Sequence, residues 1–92
     1  MEARFELGRI VATPGALELL AATGADPAEL LSRHVRGDWG EVPPEDAREN
    51  ELSVREGFRI VSSYCVGEDG SKIWFITEVD RFSTCILLPQ EY

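Results

Sequence analysis

Two hydrophobic periods divide the chain near Gly57. Before it, apolar residues recur at helical spacing behind recognisable start signals. Thr13-Pro14 offers a capping hydroxyl and then a proline whose missing N–H costs nothing in a first turn. Ala16, Leu17, Leu20 and Ala21 follow, and Gly24 suits a left-handed exit. Asp26-Pro27-Ala28-Glu29 sets a cap acceptor three residues ahead of a carboxylate that can reach back to the cap N–H. Leu30, Leu31 and Val35 supply the stripe behind it, with Arg33, His34 and Arg36 at the negative end of the dipole. The spacing predicts helices over roughly 14–22 and 27–35, paired as an αα-hairpin. Ahead of them, Phe5-Glu6-Leu7 and Ile10-Val11 could run extended, bent at Gly8. Pro43-Pro44-Glu45-Asp46 opens a third helix that runs to Glu56 and exits at Gly57. Its few apolar residues, Ala47, Leu52 and Val54, place it on the surface with one narrow buried edge.

After Gly57 the period shortens. Phe58–Val66, Lys72–Val79 and Ser83–Leu88 are rich in β-branched and aromatic residues, and the connections between them are too short for anything but antiparallel neighbours. The predicted fold is therefore α+β: an αα-hairpin and a third, acidic helix packed on a three-stranded antiparallel meander, which the N-terminal segment could extend to four strands. Trp74 and Ile76 share one face of the central strand; Ile73, Phe75 and Val79 share the other. Both faces carry apolar residues, so the pattern leaves open which is the deeper one. The expected core is Trp74, Phe75, Ile76, Ile60, Leu17, Leu20 and Leu31.

Composition narrows the class. A chain of 92 residues, 43% of them hydrophobic, accommodates one domain over 1–92 and argues against wholesale disorder. The longest apolar run is four residues, too short for a membrane span, and the charged Met1-Glu2-Ala3-Arg4 start argues against a secretory segment. A cytoplasmic setting is expected. With 17 acidic against 9 basic residues, and a net charge of −8, direct binding to phosphate backbones is not expected. Residues 41–56 hold six acids against Arg48 and Arg55, so they carry −4, half of the total.

Catalytic chemistry finds little support. Cys65 and Cys85 would lie two strand spacings apart, about 10 Å, beyond the reach of a disulfide. They are expected to be reduced and largely buried. With His34 they fall one ligand short of a closed zinc site, so no metal and no cofactor are expected. His34 reads as a helix C-terminal cap, or as part of a site shared with Asp38 and Trp39. Gly37-Asp38-Trp39-Gly40 is either a turn whose indole covers the sheet edge or an exposed interface anchor. Glu78, Asp80 and Arg81 form a second polar cluster, read as a solvated turn with an acid–base pair.

Several stretches resemble a family of short proteins encoded on plasmids and other mobile elements. They are Leu7-Gly8-Arg9-Ile10-Val11-Ala12-Thr13-Pro14-Gly15-Ala16-Leu17, Arg33-His34-Val35-Arg36-Gly37-Asp38-Trp39-Gly40, Ile76-Thr77-Glu78-Val79-Asp80-Arg81 and Ile86-Leu87-Leu88-Pro89-Gln90-Glu91-Tyr92. Members of that family tend to carry Ala where Val79 stands and Ser where Phe82 stands, which makes this turn the more hydrophobic. The resemblance implies a mobile-element origin and a bacterial cytoplasmic setting, and it brings no activity with it.

Three functions compete. The favoured one is a small acidic, non-enzymatic protein-binding module that antagonises a host defence or nucleic-acid-binding protein by covering its basic surface. Its candidate binding residues are Asp38, Trp39, Glu45, Asp46, Glu49, Glu51, Glu78, Asp80 and Arg81. An alternative is a toxin-like ribonuclease, with Glu78, His34, Arg59 and Arg81 as acid, base and phosphate-binding groups. The third is a structural protein that forms a homodimer through its sheet edges or the Trp39 surface.

Overall fold

Alternating side chains from Ile60 onward build the sheet on which everything else rests. The computed structural model describes residues 2–92. Strands β1 (Arg9–Ala12), β2 (Ile60–Val66), β3 (Ser71–Thr77) and β4 (Ser83–Leu87) form one sheet in the order β1-β4-β3-β2. The meander is antiparallel as expected, with Ser62 opposite Phe75 and Phe75 opposite Ile86. β1 is a fourth strand, and it joins parallel to β4, with Ile10 opposite Thr84. The sheet is therefore mixed.

Between β1 and β2 the chain forms helices α1 (Pro14–Thr23), α2 (Pro27–Arg36) and α3 (Pro44–Glu56). The expected caps are in place: Thr13 Oγ1 accepts from Ala16 N at 3.1 Å and Asp26 Oδ1 from Ala28 N at 3.0 Å. A short 3-10 turn, Pro89–Glu91, ends the described chain. Its Glu91 carboxylate accepts from both Thr13 Oγ1 and Leu88 N, tying the turn to the start of α1.

The deeper sheet face carries Ile60, Ser62, Tyr64, Val66, Ile73, Phe75, Thr77, Thr84 and Ile86, all buried. Ala16 and Leu20 of α1 and Leu30 of α2 pack against Tyr64, Val66, Ile73, Phe75 and Ile86. Leu17, expected in the core, is 57% exposed. α1 is apolar on more than one side, so helical spacing alone could not select its buried face. On the outer face Ile76 is buried, Trp74 is half-buried, Cys65 is exposed and Cys85 is intermediate. The expectation of two largely buried thiols thus fails for Cys65: position 65 faces outward by strand alternation, and both cysteines are free. Val79 belongs to neither face; β3 ends at Thr77 and Val79 is exposed.

The free edge of β2 is partly closed by side chain and loop. Asn50 of α3 donates Nδ2 to Val61 O at 2.7 Å and accepts from Val61 N at 3.1 Å, standing in for a neighbouring strand. Ser63 N donates to Trp39 O and Glu41 N to Ser63 O, with Gly40 as a one-residue parallel bridge. Among the described residues no helix is long and apolar enough to cross a membrane.

Candidate functional site

His34 is wholly buried, and its ring points into the sheet instead of capping α2. Nδ1 lies 2.5 Å from Ser62 Oγ and Nε2 lies 2.9 Å from Thr77 Oγ1. The chain continues from Thr77 Oγ1 to Thr84 Oγ1 at 2.7 Å and from Thr84 Oγ1 to the Leu7 carbonyl at 2.8 Å. Its far end sets the protons. Leu7 O can only accept, so Thr84 donates to it, Thr77 donates to Thr84, and His34 donates Nε2–H to Thr77. Nδ1 is then the acceptor and takes the Ser62 hydroxyl proton. Burial, with the positive charge of Arg81 as the smaller cause, pushes the imidazole down to about 3, so the ring is neutral.

A serine on one ring nitrogen and a hydroxyl on the other have the outline of a nucleophile, its base and an orienting group. Here His34, Ser62 and Thr77 are each 0% exposed, so Ser62 Oγ cannot meet a substrate. Phe5 packs edge-on against the imidazole at 5.1 Å and closes the site from the N-terminal side. The network is a structural spine that joins α2 to β2, β3 and β4.

Asp38 and Trp39 also turn inward or pair locally. Arg33 Nε donates to Asp38 Oδ2 at 2.7 Å, and this contact is the main reason the carboxyl stays below the usual aspartate range. The Asp38 carbonyl accepts from Tyr64 Oη at 2.6 Å, and burial pushes that phenol up to about 12. Trp39 is 6% exposed, which removes it as an exposed interface anchor. Its indole stacks on Phe5 at 6.2 Å and donates Nε1–H to Glu51 Oε2 at 3.1 Å. Glu51 in turn takes both arms of the Arg4 guanidinium, at 2.7 and 3.0 Å, and is thereby held below the ordinary glutamate value. Glu51 therefore clamps the N-terminal segment onto α3 and does not stand free among the acids.

The Glu78–Arg81 cluster is rearranged in the same way. Arg81 makes no ion pair with Glu78 or Asp80. It donates to the carbonyls of Phe58 at 2.7 Å, Glu78 at 2.9 Å and Ser53 at 2.9 Å, joining the end of α3 to the β3–β4 turn. Asp80 Oδ1 accepts from Phe82 N within that turn. Three of the four residues cast for ribonuclease chemistry are thus committed elsewhere: His34 is enclosed, Arg81 holds carbonyls, and Arg59 packs on the ring of Tyr92, while Glu78 is half-buried beside the β3–β4 turn.

Glu45, Asp46 and Glu49 remain exposed on α3, as does Glu41 before it. The three ion pairs among the described residues, Arg4–Glu51, Arg33–Asp38 and Arg55–Glu56, use none of these four acids. Glu41, Asp46 and Glu49 border a groove of about 510 Å³ on the outer sheet face, a volume typical of ligand-sized clefts. Val61, Ser63, Trp74 and Ile76 line it from the sheet, and Arg59, Lys72 and Tyr92 complete it. The acids are visible in the sequence and the groove is not, because residues from α3, β2, β3 and the C-terminal turn meet only in the fold. Among the described residues no group of three or more His, Cys, Asp or Glu side chains is placed to hold a metal ion. Comparison with family models, with curated proteins and with solved structures finds no match to this chain.

Proposed function

We propose that the chain is a non-enzymatic protein-binding module of a bacterial mobile element, acting in the cytoplasm, whose α3 face covers a basic surface of a host protein. The single observation that carries this reading is the unpaired acidity of Glu41, Glu45, Asp46 and Glu49, three of which, Glu41, Asp46 and Glu49, border an apolar-floored groove. Unpaired surface charge steers an oppositely charged partner, and the apolar floor supplies area to bury once it has arrived. A defence protein with a nucleic-acid-binding surface is the class of partner this charge suits, and the resemblance to mobile-element proteins agrees with it.

The test is charge reversal at Glu45, Asp46 and Glu49 together, leaving Glu51 untouched because it clamps Arg4. Glu45 and Asp46 sit in the first turn of α3, where each reversal costs about 0.3–1 kcal/mol through the helix dipole. The far-ultraviolet spectrum should therefore stay native. The immobilised wild type is expected to retain basic proteins from a bacterial lysate in a salt-sensitive manner, and the triple variant to retain none. Equal retention by both would overturn the reading.

A second reading, a homodimer, is favoured by β1. It pairs with β4 on one side only, and Ile10 and Val11 are 41% and 40% exposed there. An uncovered strand edge with β-branched residues is a template for pairing with a second copy. Light scattering should then give a mass that doubles from micromolar to millimolar concentration, and Val11→Lys should hold it at the monomer value. A constant 10.2 kDa for the wild type removes this reading.

A further inference from the structure

We infer that the outer-face groove is a seat for an arginine side chain presented by the basic partner, with Arg59 holding part of that place in the partner's absence. The inference rests on the reading of α3 as the partner-facing surface and gives that contact a chemical identity.

The floor is aromatic and apolar. Trp74 meets Tyr92 edge-on with ring centres 5.6 Å apart, and Val61 and Ile76 extend the surface along the strands. Asp46 and Glu49, three residues apart on α3, share one helix face and both border the groove. Neither is engaged by any cation in the described ion pairs. A ligand for this surface needs a flat apolar-tolerant body and a cation that can satisfy carboxylates. Guanidinium fits both demands: it stacks on aromatic faces, is weakly hydrated, and can bond two carboxylate oxygens at once. An ammonium is a strongly hydrated point charge and meets only the second demand.

The molecule already carries one example of the contact. The Arg59 guanidinium carbon lies 5.3 Å from the centre of the Tyr92 ring, and an Arg59 N–H donates to the Tyr92 hydroxyl. The Tyr92 side of the groove is thus compatible with a guanidinium, and the α3 side supplies carboxylates that Arg59 does not pair with. Lys72, the other cation of the groove, has its Nζ 3.6 Å from Cys65 Sγ. Removing Arg59 would delete its contact with the Tyr92 ring and a like charge that opposes the incoming one.

The experiment titrates the full chain with the capped peptide Gly-Arg-Gly-Arg-Gly while following the two indole N–H resonances. The Trp74 signal should move, and the Trp39 signal, buried and held by Glu51, should stay. Asp46→Lys with Glu49→Lys should weaken binding by about tenfold or more, the loss of one to two desolvated charge contacts. Arg59→Ala should strengthen it several-fold, and a Gly-Glu-Gly-Glu-Gly peptide should leave Trp74 unmoved. A stationary Trp74 resonance, undiminished binding by the double variant, or no gain in Arg59→Ala would each overturn the inference. Charge-dependent capture from lysate without a Trp74 response would overturn this inference alone, whereas charge-independent capture would overturn the reading beneath it.

Discussion

Acidification from pH 6.5 to pH 5 is expected to remove about 2 kcal/mol of stability through His34 alone. The buried ring has its pKa lowered from 6.5 to about 3, so between those values the unfolded chain binds a proton that the native chain refuses. Stability is complete above pH 6.5 and falls by about 1.4 kcal/mol per unit below it, until the native ring itself titrates. The structural cause is burial, to which the positive charge of Arg81 adds, and the proton order of the spine leaves a charged ring no acceptor at Nδ1. A second proton on Nδ1 would turn the Ser62 hydroxyl away from its acceptor inside a site closed by Phe5 and Phe75.

The window is clean. His34 is the only histidine, and the paired carboxyls of Asp38 and Glu51, whose pKa values are lowered from 3.8 and 4.5, lose their contributions at lower pH. Denaturant midpoints measured at pH 7, 6 and 5 should fall steadily for the wild type. His34→Gln keeps a donor for Thr77 and an acceptor for Ser62 but cannot titrate, so its midpoints should be level over the same range. An equal slope in both proteins would show that the acid sensitivity lies elsewhere. His34→Ala should cost about 3–5 kcal/mol at pH 7, from the cavity and from two buried hydroxyls losing a partner.

The second large effect is expected at Gly40. Its φ of 74° lies in the left-handed region, and an added Cβ would overlap the Ser63 carbonyl oxygen and stand 2.6 Å from the Tyr64 ring. Neither can retreat, because Ser63 O accepts from Glu41 N and Tyr64 is a fully buried core ring. Gly40→Ala should therefore cost about 3–5 kcal/mol, combining backbone strain with overpacking. Gly57, with φ 84°, has nothing within 4 Å of the equivalent position, so Gly57→Ala isolates the conformational cost of about 1–2 kcal/mol. Comparable losses in the two variants would mean that the Gly40 bridge to β2 contributes no steric constraint.

Some of the site was legible in the chain and some was not. The acids of 41–56 stand out by counting, and the start of α3 at Pro44 follows from local signals. Counting could not separate Glu51 from Glu49. They are near neighbours on one helix, yet Glu51 is bound by Arg4, 47 residues away, while Glu49 is unpaired beside the groove. Trp39 and Trp74 are equally ambiguous as letters. Trp39 is enclosed by Phe5 and Glu51, and Trp74 half-faces solvent because strand alternation puts it on the outer face.

What the amino-acid order determines by itself is the set of elements. Helix starts depend on contacts over three residues, such as Thr13 with Ala16, and the meander follows from period-two runs joined by short turns. Tertiary structure alone decided the parallel docking of β1 on β4, the inward turn of Arg81, the deeper sheet face and the role of His34. The hydrogen-bond partners of His34 lie 28 and 43 residues away. Local pattern carries no record of such distances, and a buried polar group takes its meaning from whichever partners the packed chain delivers to it.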